Sequence, residues 1–167
     1  FRAEYGIGKN LIIAGNAAFT RHDSQSAQAF GGDITYEKQL NKNWFLAFNS
    51  EYKKGSNISE YDSSAALGKS LNDFQMQGIY FIPMVRRSIN TKLFNALELS
   101  CRYEYLENLA KNGNPVRIYT PMISLVSGNT YTTKLSLIGV LQDYNRNVPN
   151  TTQWSSNQIL LQFQFKY

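Results

Sequence analysis

The end of the chain alternates. From Gln158 to Tyr167 the odd positions are Ile159, Leu161, Phe163, Phe165 and Tyr167, and the even positions are Gln158, Leu160, Gln162, Gln164 and Lys166. Successive side chains of a β-strand point to opposite faces, so this spacing puts an apolar row on one face and a mostly polar row on the other. The same split recurs in Trp44, Leu46, Phe48, Ser50, Tyr52 against Asn43, Phe45, Ala47, Asn49, Glu51, and in Leu97, Leu99, Cys101, Tyr103, Tyr105 against Ala96, Glu98, Ser100, Arg102, Glu104. Each stretch is a strand with one face in an apolar medium.

Extending the period along the chain predicts strands near residues 1–6, 10–20, 28–39, 43–54, 71–83, 91–106, 116–127, 130–145 and 156–167, with no helix signal between them. The expected connections alternate. Those at 8–9, 41–42, 83–90 and 127–129 are short or moderate, whereas 21–27, 55–70, 107–115 and 146–155 are longer and rich in Asn, Ser and Gly. Long loops on one rim and tighter turns on the other describe an all-β, antiparallel up-and-down meander in a single domain over 1–167.

Composition narrows the medium. The 167 residues are 14% aromatic and only 17% charged, against about 25% charged in a soluble domain, with a net charge of +5. The longest uncharged apolar run is Leu11–Gly15, far below the roughly 20 residues of a membrane helix, so crossing by helix is excluded and crossing by strands is not. A single Cys (Cys101) and a single His (His22) leave no internal disulfide and no His/Cys metal set, and no cofactor is expected. The first residues, Phe-Arg-Ala-Glu-Tyr-Gly, lack a signal peptide's basic start and apolar core, as expected of a mature product or a piece of something longer.

An apolar face lines the inside of a soluble lipocalin-like barrel and the outside of an outer-membrane barrel. Three features favour lipid. Several expected strands reach about 11 to 15 residues, longer than the soluble mode of about 5 or 6 and matching the roughly 9 to 11 tilted residues that cross a bilayer. Aromatics such as Phe19, Phe30, Trp44, Tyr52, Tyr103 and Phe165 sit on the apolar face near strand ends, where interfacial girdles lie. The final expected strand ends on an outward aromatic, Tyr167.

The segment Asn157–Tyr167 resembles the C-terminal strand read by the outer-membrane barrel assembly machinery, with Phe163, Phe165 and Tyr167 as the assembly signal. Gly78-Ile-Tyr-Phe-Ile-Pro83, Ala96-Leu-Glu-Leu-Ser-Cys-Arg-Tyr-Glu-Tyr-Leu106, Tyr119–Leu125 and Leu135–Tyr144 resemble the last strands of the phosphate-selective porin O and P family, over about residues 71–167. The resemblance implies a transmembrane β-barrel of about 16 strands in the outer membrane of a Gram-negative bacterium, assembled as a homotrimer or with another membrane-protein partner, of which this chain supplies some 8–9 strands. It also implies passive diffusion of small hydrophilic solutes or ions. Two other readings remain: a small eight-stranded non-conducting barrel with a structural or adhesive role, in which residues 1–9 form a leader, and a soluble lipocalin-like ligand-binding barrel.

Taken as lumen, the polar face offers Arg2, Glu98, Arg102, Glu104, Lys134 and Lys166 as selectivity residues, with Arg102, Lys134 and Lys166 the expected anion-attracting stripe. The family's phosphate preference rests on a ladder of Arg and Lys. No strand here carries a dense run of either, so that preference is not carried over. Arg21-His22-Asp23-Ser24 holds the residue types of a hydrolase triad, but adjacent residues do not converge on one atom, so His22 reads as a polar loop residue and no enzyme is expected. Arg86-Arg87 reads as a solvated turn. The basic residues are scattered without aromatic interleaving, so no nucleic-acid partner is expected.

Overall fold

A computed structural model describes residues 1–64, 68–109, 115–127, 133–144 and 156–165. Its strands are β1 (Arg2–Ile7), β2 (Leu11–His22), β3 (Gln25–Gln39), β4 (Trp44–Ser56), β5 (Gln75–Ser88), β6 (Ala96–Asn108), β7 (Val116–Ser127), β8 (Thr133–Tyr144) and β9 (Gln158–Phe165). Each pairs antiparallel with the next, giving one nine-stranded up-and-down sheet in sequence order. Residues 1–9 are therefore no leader: Arg2 to Ile7 are in register with Asn16 to Leu11. The sheet does not close on itself, and β1 and β9 are its two edges. With nine strands, β1 and β9 run the same way, so joining them directly would make a parallel seam in an otherwise antiparallel wall.

Strand ends shift by several residues in places, as where β6 begins at Ala96 instead of near 91, and three departures from the sequence expectation shape the site. The expected long connection over 21–27 is a two-residue turn, in which Asp23 (φ 47°) and Ser24 (φ 65°) both take left-handed conformations, the geometry that fits the twist of a hairpin. β5 does not stop at Pro83 but runs through it to Ser88. Proline lacks the N–H that a ladder needs, and the β5–β6 register accordingly skips Ile82 and Pro83 before resuming at Met84 and Ser100. Residues between β4 and β5 hold a short helix, α1 (Ile58–Ser63), and a 3-10 turn (Leu71–Asp73). Asn57 caps α1 by accepting from the Glu60 N–H, and Ser70 and Asp73 form a capping box on the turn, polar side chains that the sequence alone displays only as loop polarity.

The register sorts every strand residue onto one of two faces. Glu4, Ala14, Asp33, Glu51, Tyr80 and Glu104 follow one another across β1 to β6 on the polar face. The neighbouring row, Tyr5, Ile13, Ile34, Ser50, Phe81, Tyr103 and Tyr119, crosses β1 to β7 on the apolar one. Burial is lopsided. Ala14, Ala47, Ala96, Glu98, Ser124, Val126 and Ser136, all on the polar face, are at most 5% exposed, while Leu99, Ile123, Leu137 and Leu161 on the apolar face are 44–75% exposed. Side chains crowd on the inner side of a curving sheet, so the sheet curls toward its polar face and turns its apolar face outward.

Candidate functional site

On the polar face the charges come in matched sets. Glu98 on β6 is held between two cations: Arg86 Nε on β5 donates to Oε1 at 2.7 Å, and Lys134 Nζ on β8 donates to Oε2 at 2.6 Å. In the same row as Arg86 and Glu98, Ser124 and Ser136, opposite each other on β7 and β8, share a hydrogen bond of 2.8 Å. Arg102 donates to Glu104 at 2.7 Å and lies 4.8 Å over the Tyr80 ring. Arg2 reaches Asp33 through two guanidinium bonds of 2.7 and 3.1 Å and also Glu4 at 2.7 Å, tying β1 to β3 across β2. Lys53 pairs with Glu51 at 2.7 Å. Among the described strand residues the polar face carries Arg2, Lys53, Arg86, Arg102 and Lys134 against Glu4, Asp33, Glu37, Glu51, Glu98 and Glu104, so it is close to neutral.

The β4–β5 connection bends back over one end of this face. His22 and Gln25, opposite each other where β2 turns into β3, point to the polar side. His22 Nε2 lies 2.7 Å from Asp62 Oδ1 on α1, and its ring meets Tyr61 edge-on at 5.9 Å. Gln25 donates to the Tyr61 hydroxyl at 2.9 Å and accepts the Leu71 N–H at 2.7 Å. Leu71 and Phe74 are 1% and 6% exposed, and the Phe74 ring stands edge-on to Tyr61 at 5.7 Å. The Asp62 carboxylate holds the His22 imidazole above the usual histidine range, against a smaller lowering by burial.

The apolar face is banded. Between two rims its described strand positions carry no charge. From Trp44 to Tyr52 on β4, or from Leu97 to Tyr105 on β6, that zone is about nine residues long, roughly 27 Å at about 3.4 Å per residue, before tilt. Aromatics edge it on one side, with Phe19 against Phe30 (5.5 Å), Phe81 against Tyr103 (4.9 Å) and Tyr103 against Tyr119 (5.1 Å). Beyond them stand Arg21, Lys54, Glu107, Arg117 and Asp143. On the other side Trp44, with Arg87 5.4 Å over its ring, and Lys38 close the band. Among the described residues the rims of the apolar face are net basic, with Arg21, Lys38, Lys54, Arg87 and Arg117 against Glu107 and Asp143. Such a profile matches the roughly 25 Å apolar belt and aromatic girdles of barrels that cross a bilayer.

Of the residues expected to set selectivity, Arg2, Glu98, Arg102, Glu104 and Lys134 are all on the polar face. Glu98 and Lys134 are brought together, as are Arg102 and Glu104, while Arg2 stands apart with Asp33. Lys166 and Tyr167 lie outside the described residues. Phe163 and Phe165 are on the apolar face of the edge strand β9, their rings 6.1 Å apart and 63% and 64% exposed. Cys101 is on the apolar face opposite Pro121. Two readings are corrected. Arg86 is no turn residue but the partner of Glu98, a position that unbroken alternation through Pro83 would have revealed. His22 ends a strand instead of lying in a loop, and no sequence signal pairs it with Asp62, 40 residues away. Comparison with protein-family models, curated proteins and solved structures finds no match, so the porin resemblance rests on the residues quoted for it.

Proposed function

We propose that this chain forms part of the wall of an outer-membrane channel of the phosphate-selective porin O and P type, through which small hydrophilic solutes and ions diffuse passively. One observation carries the reading: the face that is charge-free between its rims and edged by aromatics is the exposed one, while the crowded inner face is polar and most of its charges are paired. That is the reverse of a soluble ligand-binding barrel, whose apolar side faces inward. Outer-membrane lipid would cover the band, the assembly machinery would read Phe163, Phe165 and Tyr167, and a homotrimer or another membrane protein would complete the assembly.

Backbone groups in hydrocarbon must all be paired, so the free edges of β1 and β9, unless they meet each other in a parallel seam, call for further strands. Because those edges run the same way, antiparallel closure takes an odd number of them, and seven give the 16 of the family. The wall supports weak ion selectivity, since Arg102 and Lys134, expected to attract anions, each already face a carboxylate. Planar-bilayer recording of the purified protein tests this: steady conductance steps with reversal potentials near zero in a salt gradient are expected. A folded, detergent-soluble sample that gives no conductance overturns the channel.

A further inference from the structure

The contacts at the end of the polar face do more than tidy a loop. α1 and the 3-10 turn are held in place at three points, the last two of them on the β2–β3 hairpin: a buried apolar one at Leu71 and Phe74, a neutral one at Gln25, and a titratable one at His22. The first two do not change with pH. The third does, because its strength depends on whether the imidazole carries a proton. The titratable groups facing His22 among the described residues are Asp62 and Tyr61 from α1 and Asp23 from the hairpin turn, whose carboxylate lies 4.0 Å from Nε2. Gln25, directly opposite on β3, is neutral. Both carboxylates favour the charged ring, and among the described residues no cation opposes it. His22 is also placed to sense bulk pH, since it lies beyond Phe19 and Arg21, past the end of the apolar band.

We propose that α1 and the 3-10 turn form a pH-sensitive strap across the mouth of the polar face, drawn tight when His22 is protonated and eased when it is neutral. His22 is then a positioning residue for the constriction of the channel, and this role rests on the channel reading above. The sign follows from the ion pair. With the imidazole held above its ordinary range by Asp62, the extra attachment is fully present below that range and is lost as pH rises through the raised value. Conductance should therefore be lower in acid and higher in mild base.

Three readouts on the protein purified from membranes in detergent test the strap between about pH 5 and pH 8. In histidine-labelled NMR, the imidazole signal that disappears in His22→Gln should titrate at higher pH in the wild type than in Asp62→Asn; the same midpoint in both overturns the strap. Amide protection over Ile58–Ser63, corrected for the intrinsic effect of pH on exchange, should fall roughly two- to five-fold from acid to base in the wild type and stay flat in both variants. Protection that is flat in the wild type also overturns it. Single-channel conductance should rise with pH in the wild type alone, and a channel whose conductance ignores pH removes the constricting role. A protein that never conducts sinks the channel reading, while the titration and the exchange still decide the strap.

Discussion

Glu98 shows how far a single residue's setting departs from its place in the sequence. Alternation put it on the polar face beside Arg102 and Glu104, and the register does the same. What alternation did not supply is its pair of cations, 12 residues before it and 36 after it. At 5% exposed, its carboxylate is compensated by Arg86 and Lys134, so Glu98→Gln leaves two neighbouring cations facing each other. A loss of about 2 kcal/mol is expected in denaturant unfolding of the detergent-folded protein. Adding Lys134→Gln should recover part of it, because the second change removes the excess positive charge left beside the neutral side chain at position 98.

Among the elements, the β2–β3 hairpin was the least legible. Two-residue turns of this kind are normally announced by Asn-Gly or Asp-Gly, and here Asp23 is followed by Ser24. Serine at φ 65° bears a steric cost that glycine avoids. Ser24→Gly should stabilise the fold by about 0.5–1 kcal/mol, read as a higher unfolding midpoint, without moving His22. β5 misled for a different reason: proline in a strand normally marks an edge or an end, whereas Pro83 sits within a central strand, where the β5–β6 register is interrupted around it. α1 was invisible because six residues are too few to display a helical period, and its stability comes from the Asn57 cap and its contacts with His22 and Gln25.

For the whole molecule, the exposed apolar face makes the sharpest distinction between media. Leu137 lies in the middle of the band on β8 and is half exposed. If lipid covers that face, Leu137→Arg should cost about 2–4 kcal/mol of folding into vesicles, seen as loss of the heat-modifiable band on an unboiled gel. Gln162→Arg, on the polar face of β9, should fold normally in the same assay. If both variants fold alike, the apolar face does not meet lipid.

By itself the sequence determined the all-β class, the up-and-down order and the side of the sheet taken by the residues of strands such as β4, β6 and β9, because a period of two is written locally in the order of the side chains, whereas around Pro83 on β5 and at His22 it did not. The tertiary structure decided the rest. Curvature selected the polar face as the inner one, since inner and outer sides differ only once many strands pack side by side. Register brought Arg86 and Lys134 to Glu98, and Asp62 to His22, since a strand's own pattern carries no record of which partner residue stands opposite.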